Sequence, residues 1–368
     1  MAKDPYIVFA GGGTGGHLFP ALSVAHAMRR RHPGAAIVFV GGTRGLETRL
    51  VPGEGFELRR LPVYGLKGRS PARRLVAGVA AAFAVLRCLA WFLGRRPALV
   101  IGAGGYASGP AVLAGWILRV PTMLMEQNHF PGATNRALAS RANAVCVPSD
   151  AAKVRLGGIG LVTGNPVRPE FASIGPPPGG PRLALLGFGG SRGARSINRA
   201  MVAALPALAA MTPPPQIVLQ TGPDESEAVA RAFAAYPGLD GDVRPFLDDM
   251  PAQFAAADLV LCRAGATTLA ELAAAGRPAI LVPYPFAADD HQRANAEAVR
   301  DAGGAIVIED RELDGPRCAA EIARLALDPP LRRRMAEANR ALARPAAAES
   351  IADVADALLE GRSVPHVP

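Results

Sequence analysis

Cysteine is scarce in this chain of 368 residues: Cys88, Cys146, Cys262 and Cys318 lie far apart, with no C-x-x-C pair among them. A disulfide framework or a structural zinc needs closely spaced thiols, so neither is expected, and a reducing cytoplasm fits. Aromatic residues make up only 5%, which leaves little to stack on the bases of single-stranded nucleic acid. Charged residues are few at 19%, while half the chain is apolar. A disordered chain has the opposite balance. The N-terminus lacks a cleavable hydrophobic segment, since Met-Ala-Lys-Asp-Pro runs straight into YIVFA, and export by that route is not expected. Glycine (41) and proline (34) are plentiful, without a triplet period. That excludes collagen and demands many tight turns. The net charge of +9 comes with no nucleic-acid-binding motif, so nucleic acid is not an expected partner.

At roughly 150 residues per domain the length predicts two domains or three. From Tyr6 onward, short β-branched runs alternate with longer helical ones. Strands are expected at 6–10, 36–40, 98–102, 122–125, 144–147 and 161–164, with helices between them, as at 18–31 and 109–118. Runs such as VFV and ALVIG are apolar on both faces, as strands covered by crossover helices must be. This predicts a parallel α/β domain over residues 1–168. The stretch EFASIGPPPGGPR then breaks the pattern, and 169–182 reads as a linker. Alternation restarts over 183–345, with strands expected at 183–188, 216–220, 243–246, 259–262, 279–282 and 305–308. The tail from Leu313 to Leu359 reads as helices broken at Pro329-Pro330 and Pro345. The two halves also resemble each other: YIVFAGGGTGGHLFPALSVAHAM and LALLGFGGSRGARSINRAMVAAL are each strand, glycine loop and helix. Two doubly wound domains facing across a cleft is the economical reading.

Gly11-Gly12-Gly13-Thr14-Gly15-Gly16 follows a strand and opens a helix. Such a loop lets main-chain amides approach an anion without Cβ obstruction, beside the positive end of a helix. It also satisfies G-x-G-x-x-G, but a nicotinamide dinucleotide further requires an acid closing the second strand. Here that strand runs into Gly41-Gly42-Thr43, and the first acid is Glu47; the oxidoreductase reading loses its support. The second loop, 187–193, adds Ser191 and Arg192. A third constellation, CRAGATTLAE over 262–271, ends a buried strand and starts a helix. Its open amides suit phosphate, and Glu271 can accept from two vicinal ribose hydroxyls or, with Thr268, form a capping box. A fourth cluster, Asp289-Asp290-His291-Gln292 with Asn295, carries donors and acceptors of the kind sugar hydroxyls need, or caps another helix.

In order along the chain, GGGTGGH, GGYASGP, MEQN, TGNPVR, GGSRGA, CRAGATTLAE and DHQRANA resemble the motifs of the MurG family. That family transfers N-acetylglucosamine from UDP-N-acetylglucosamine to lipid I, forming lipid II in bacterial peptidoglycan synthesis. The resemblance runs from about Tyr6 to about Ala296 and implies the GT-B fold: two Rossmann-like domains, the acceptor in the first, the nucleotide sugar mostly in the second. It implies that Thr14, Gly15 and Gly16 face the sugar and diphosphate, that Asn128 bonds the sugar, and that Arg168 and Ser191 hold the diphosphate. Leu247 stands where main chain reads uracil. Ala266, Thr267, Thr268, Leu269, Ala270 and Glu271 cradle phosphate and ribose, and Gln292 reads the sugar. Two departures are visible. Ala264 lacks the hydroxyl of the more common CRSGA, and His291 stands where some members have Gln, leaving open which of His291 and Gln292 reaches the sugar. The family's peripheral position on the cytoplasmic face of the cell membrane, and its association with cell-wall synthesis and division proteins, come with the resemblance.

An α-linked donor giving a β-1,4 glycoside requires inversion, hence one in-line displacement with a general base on the acceptor hydroxyl. His17 is the first candidate, because an imidazole titrates nearest neutrality; Glu126 is the rival. No D-x-D motif stands at a strand end, so no metal is required and a divalent cation is at most stimulatory. The run 75–93, LVAGVAAAFAVLRCLAWFL, approaches the length of a membrane span, but Arg87 interrupts it. Arg69, Arg73 and Arg74 precede it and Arg95 and Arg96 follow. This predicts peripheral attachment to an anionic membrane surface, against the alternative of a buried core helix. A UDP-N-acetylglucosamine 2-epimerase would need more acids near the glycine loops. A non-catalytic nucleotide-sugar binding subunit would need neither His17 nor the basic apolar patch.

Overall fold

The computed structural model describes residues 4–13, 15–43, 45–62, 71–190, 193–287 and 290–364, with backbone alone for 71–77. Thr14 and Ser191 lie outside the described residues, as do Arg69 and Asp289. The chain divides into two compact units. One comprises Met1–Val167 with Arg344–Pro368, the other Arg168–Ala343.

The first unit runs β1 (Tyr6–Ala10), α1 (Gly15–Arg31), β2 (Ala36–Gly41), α2 (Glu47–Gly53), β3 (Glu57–Arg60), α3 (Pro71–Gly94) and β4 (Leu99–Gly102). It continues with α4 (Ser108–Ile117), β5 (Thr122–Met125), α5 (Ala133–Leu138), β6 (Ala144–Val147), α6 (Asp150–Arg155) and β7 (Leu161–Val162). The strands form one parallel sheet in the order β3-β2-β1-β4-β5-β6-β7. Because strand side chains alternate, β1 splits between two cores. Ile7 and Phe9 pack with Leu18, Ala21, Leu22, Ala25 and Met28 of α1. Tyr6, Val8 and Ala10 pack with Ala84, Cys88 and Phe92 of α3 and with Ala111 and Val112 of α4. Both faces are covered, which is why these strands read as continuous apolar runs.

The second unit runs α7 (Pro169–Ala172), β8 (Ala184–Phe188), α8 (Arg195–Ala209), β9 (Gln216–Gln220), α9 (Ser226–Ala234), β10 (Asp240–Arg244) and α10 (Met250–Ala256). Then come β11 (Leu259–Cys262), α11 (Ala266–Ala275), β12 (Ala279–Leu281), α12 (His291–Asp301), β13 (Ala305–Val307), α13 (Gly315–Leu327) and α14 (Pro329–Leu342). Its parallel sheet has the order β10-β9-β8-β11-β12-β13. In both sheets the order reverses beside the first strand of the unit, the Rossmann arrangement, so each has a switch point at its carboxyl edge. The last helix, α15 (Ala347–Leu359), joins the core of the first unit through Ile351, Ala352, Ala355 and Leu358.

Two expectations need correction, and one strand, β3, goes unmarked in the sequence. Residues 169–182 are not a free linker: they carry α7 and belong to the second unit. Phe171 is fully buried, edge-to-face on Phe254 at 5.1 Å. Proline deprives this segment of amide donors, and arginine supplies them instead. The buried Arg277 donates to the carbonyls of Gly175, Phe254 and Ala275, and burial pulls its guanidinium down to about 10. Strand β3 has no apolar run to announce it, because ELRR is a charged edge paired only to β2. The strand expected at 243–246 is Asp240–Arg244, likewise a charged edge. All four cysteines are buried and free.

Candidate functional site

Two groups of side chains stand at the carboxyl ends of the parallel strands, one in each unit. In the first unit the loop after β1 turns into α1 through Gly12 and Gly13, with φ of 145° and 91°, a region that side chains with a Cβ rarely adopt. From α2, the buried Glu47 braces this turn. Its Oε2 accepts from the Gly13 amide and its Oε1 from the Gly42 amide, each at 2.9 Å. A Cβ on Gly12 would stand 2.7 Å from the Glu47 carboxyl carbon. Along the chain Glu47 is only the first acid after the second strand, and nothing local marks it as a brace. The residue holds the glycine loop that carries Gly15 and Gly16 into α1.

His17 lies in the first turn of α1. Its Nδ1 meets Oε1 of Gln127 at 2.8 Å, beside Gly104 of the loop after β4. Gln127 follows β5, in a loop organised by Glu126. That carboxylate is 4% exposed and accepts five hydrogen bonds. Oε1 takes the amides of Gln127 (3.0 Å) and Asn128 (2.9 Å) and the Asn128 side chain (3.1 Å). Oε2 takes the Gly132 amide and Asn135 Nδ2, both at 2.9 Å. A carboxylate offers about four lone-pair sites; those of Glu126 are committed to shaping the loop. The two base candidates therefore differ in kind. His17 has one nitrogen engaged, whereas Glu126 has both oxygens enclosed.

In the second unit, β11 ends at Cys262, and Arg263 ties that end to its neighbours. The guanidinium donates to the carbonyls of Val282 and Pro283 at 3.2 Å, to Asp310 at 2.5 Å and to Ser196 Oγ at 2.9 Å. Asn295 Nδ2 donates to the Ala264 carbonyl. Gly265 is the N-cap of α11, so the first turn is Ala266 to Leu269, at the positive end of the helix. Thr268 is inside the helix rather than at its cap, so the capping-box reading of Thr268 and Glu271 does not hold. Ala270 precedes Glu271, which is 6% exposed and meets Nη2 of Arg168 at 3.3 Å. Burial raises the Glu271 carboxyl to about 7, against the lowering pull of Arg168. Arg168 itself is the N-cap of α7 and rests over the Phe171 ring.

Leu247 is buried in the loop after β10. Gln292, in the first turn of α12, accepts from the Tyr284 amide at 3.0 Å, so its NH₂ group is what it can offer a sugar hydroxyl. Gly190 and Gly193 of the loop after β8 have φ of 90° and 73°, and a Cβ on Gly193 would stand 1.8 Å from the Thr221 carbonyl oxygen. That loop is a close backbone approach, as its glycine content implies. Among the described residues, no three His, Cys, Asp or Glu side chains come together as a metal site.

The outer surface of the first unit carries one further feature. Ala84, Cys88 and Phe92 of α3 are buried at a spacing of four, while Val79, Phe83, Leu86 and Leu93 are 55–72% exposed. Trp116 and Ile117, at the end of α4, are about half exposed. Among the described residues no helix is long and apolar enough to cross a membrane.

Residues 7–147 match the glycosyltransferase family 28 N-terminal domain, and residues 184–357 match that family's C-terminal domain. A UDP-N-acetylglucosamine–N-acetylmuramyl-(pentapeptide) pyrophosphoryl-undecaprenol N-acetylglucosamine transferase from Anaeromyxobacter sp. (strain Fw109-5) is 44% identical over 359 residues, 97% of this chain and 94% of the relative. A crystal structure of MurG from Acinetobacter baumannii is 30% identical, with a TM-score of 0.78 covering 95% of this chain and 99% of that one. A UDP-GlcNAc 2-epimerase from Neisseria meningitidis, bound to UDP-GlcNAc, has a TM-score of 0.65 at 14% identity, covering 95% of this chain and 99% of that one. That likeness is one of fold alone. With its two parallel-sheet units the chain has the GT-B fold, and it belongs to glycosyltransferase family 28 and, within it, to the MurG family of N-acetylglucosamine transferases.

Proposed function

We propose that this chain moves N-acetylglucosamine from UDP-N-acetylglucosamine to the muramyl 4-hydroxyl of lipid I, giving lipid II and UDP with inversion at the anomeric carbon. The acceptor oxygen attacks C1, the C1–phosphate bond breaks, and the acceptor proton passes to His17. Glu126 is the brace of the neighbouring loop rather than the base, because its oxygens are already filled by five donors. Arg168 and the leading amides of α11, with Ser191, take up the charge that builds on the departing diphosphate. Glu271 accepts from the ribose hydroxyls, Leu247 reads uracil, and Asn128 and Gln292 hold the hexosamine. Thr14, Gly15 and Gly16 face the sugar and diphosphate. No catalytic metal is needed for this scheme, since the cationic work falls to Arg168 and the helix start. The observation that carries the reading is the pairing of the half-buried Arg168 with the buried Glu271 of α11. It sets a guanidinium for diphosphate and a carboxylate for a vicinal diol 3.3 Å apart.

The acceptor's polyprenyl tail stays in a bilayer, so the enzyme must work at a membrane surface. Its attachment is peripheral, on the cytoplasmic leaflet, through the exposed apolar face of α3 and the basic residues around it. Support comes from Val79, Phe83, Leu86 and Leu93, flanked by exposed Arg87, Arg95 and Arg96.

Incubating the chain with UDP-N-acetylglucosamine and a lipid I analogue tests the reaction. UDP release is expected only when both are present, and Glu271→Ala should weaken donor use by on the order of ten- to a hundredfold, the value of a charged hydrogen bond. Release of UDP without an acceptor, or conversion of the free donor to its 2-epimer, would overturn the proposal.

A further inference from the structure

We infer that Gln127 is a positioning residue that holds the neutral imidazole of His17 as its Nδ1–H tautomer and leaves Nε2 as the atom with the lone pair. The inference rests on the reading of His17 as the base. In that role only the nitrogen without a hydrogen can accept the acceptor's proton, so the tautomer decides which side of the ring is competent.

The assignment follows from a closed set of donors and acceptors. The Gln127 side chain is 3% exposed, so water cannot supply missing partners. Its Nε2 donates to the Met125 carbonyl at 3.3 Å. The reversed amide would set two oxygens against each other there, with no hydrogen between them. Oε1 therefore faces His17 Nδ1 at 2.8 Å. An amide oxygen can only accept, so Nδ1 carries the hydrogen.

The scaffold leaves Gln127 little freedom. Its own amide donates to Glu126 Oε1, and Glu126 is held by four other donors. On the other side, Gly104 has φ of 89°, and a Cβ there would stand 2.7 Å from His17 Nδ1 and 3.4 Å from Gln127 Oε1. The absence of a side chain at Gly104 is what lets the pair close. A neutral amide also differs from a carboxylate in this place. It orients the ring without adding a negative charge that would hold the imidazolium once formed.

The test has two arms. The first needs no substitution: ¹⁵N NMR of the full-length protein labelled at histidine, recorded at pH 8, with the His17 signals identified among six histidines by their loss in His17→Ala. The expected spectrum shows Nδ1 protonated and Nε2 unprotonated; the opposite pattern overturns the inference. The second arm uses Gln127→Met, which keeps the volume and removes the acceptor. The Nδ1–H preference should be lost and kcat should fall by on the order of 10²-fold, the lower end of what a general base contributes. The KM for UDP-N-acetylglucosamine should stay within about twofold, a split that a merely loosened fold would not produce. A Gln127→Met protein that keeps the Nδ1–H form overturns the inference. If the tautomer switches while turnover does not change, the Gln127 assignment stands and the reading of His17 as the base falls.

Discussion

A single carboxylate shows how much the interior changes a side chain. Glu271 is buried, and Arg168 compensates only in part for the lost water, so its pKa rises to about 7. An ionised carboxylate can accept from both ribose hydroxyls and does so more strongly than the protonated acid, so donor affinity should increase with pH. Between pH 6 and pH 8 the ionised fraction of such a group grows by roughly tenfold. Calorimetric titration with UDP-N-acetylglucosamine, whose diphosphate has no titrating proton in this range, should show Kd tightening by about that factor. In Glu271→Gln the dependence should flatten. A wild-type Kd that does not move with pH would mean that the carboxylate is already ionised or does not meet the ribose. Glu126 is the contrasting case. It is as buried as Glu271 but surrounded by five donors, and its environment makes it a brace.

Helix α3 carries apolar side chains on two faces. One face fills the core through Ala84, Cys88 and Phe92, and the other presents Val79, Phe83, Leu86 and Leu93 to the surroundings. A surface helix ordinarily keeps its outer face polar. An exposed apolar stripe with basic residues at its ends suits an anionic leaflet, which attracts each nearby basic residue by about 1 kcal/mol. The double variant Phe83→Asp, Leu86→Asp should leave the thermal midpoint within about 2 °C, since neither side chain is buried. It should also abolish flotation with anionic liposomes. Flotation that persists in the variant, or that ignores salt in the wild type, would count against peripheral attachment by this face. Periodicity read along the chain sees a nearly unbroken apolar run here; only packing separates the face spent on the core from the face left over.

For the molecule as a whole, the C-terminal helix is part of the first unit although 176 intervening residues, 168–343, build the second. Ile351, Ala352, Ala355 and Leu358 enter the core beside α1. Arg31 pairs with Glu349, Asp353 and Asp356, and His32 meets Asp356. The apolar contribution of these side chains is on the order of 5 kcal/mol, a large share of the 5–15 kcal/mol that stabilises a domain. The ion pairs, all at least partly open to solvent, add less. A chain ending at Ala343 should therefore lose the cooperative unfolding transition of the first unit, measured by urea denaturation, and retain that of the second. A truncated chain with both transitions intact would show that α15 is dispensable.

The sequence by itself determined the parallel α/β units, the glycine loops at their first strands, the three-part helical tail and the family. Each of these is written in a few neighbouring residues: apolar runs, glycine where a Cβ cannot fit, proline where an amide is missing. Tertiary structure alone decided which polar group meets which. Glu47 reaches the glycine loop across 34 residues, Arg168 reaches Glu271 across 103, and Gln127 reaches His17 across 110. Sheet order brings those strand ends side by side, and burial then compels each polar atom to find a partner. Neither condition exists until the chain has closed on itself, so no local pattern distinguishes Glu126, filled by the donors of its own loop, from Glu271, paired with Arg168.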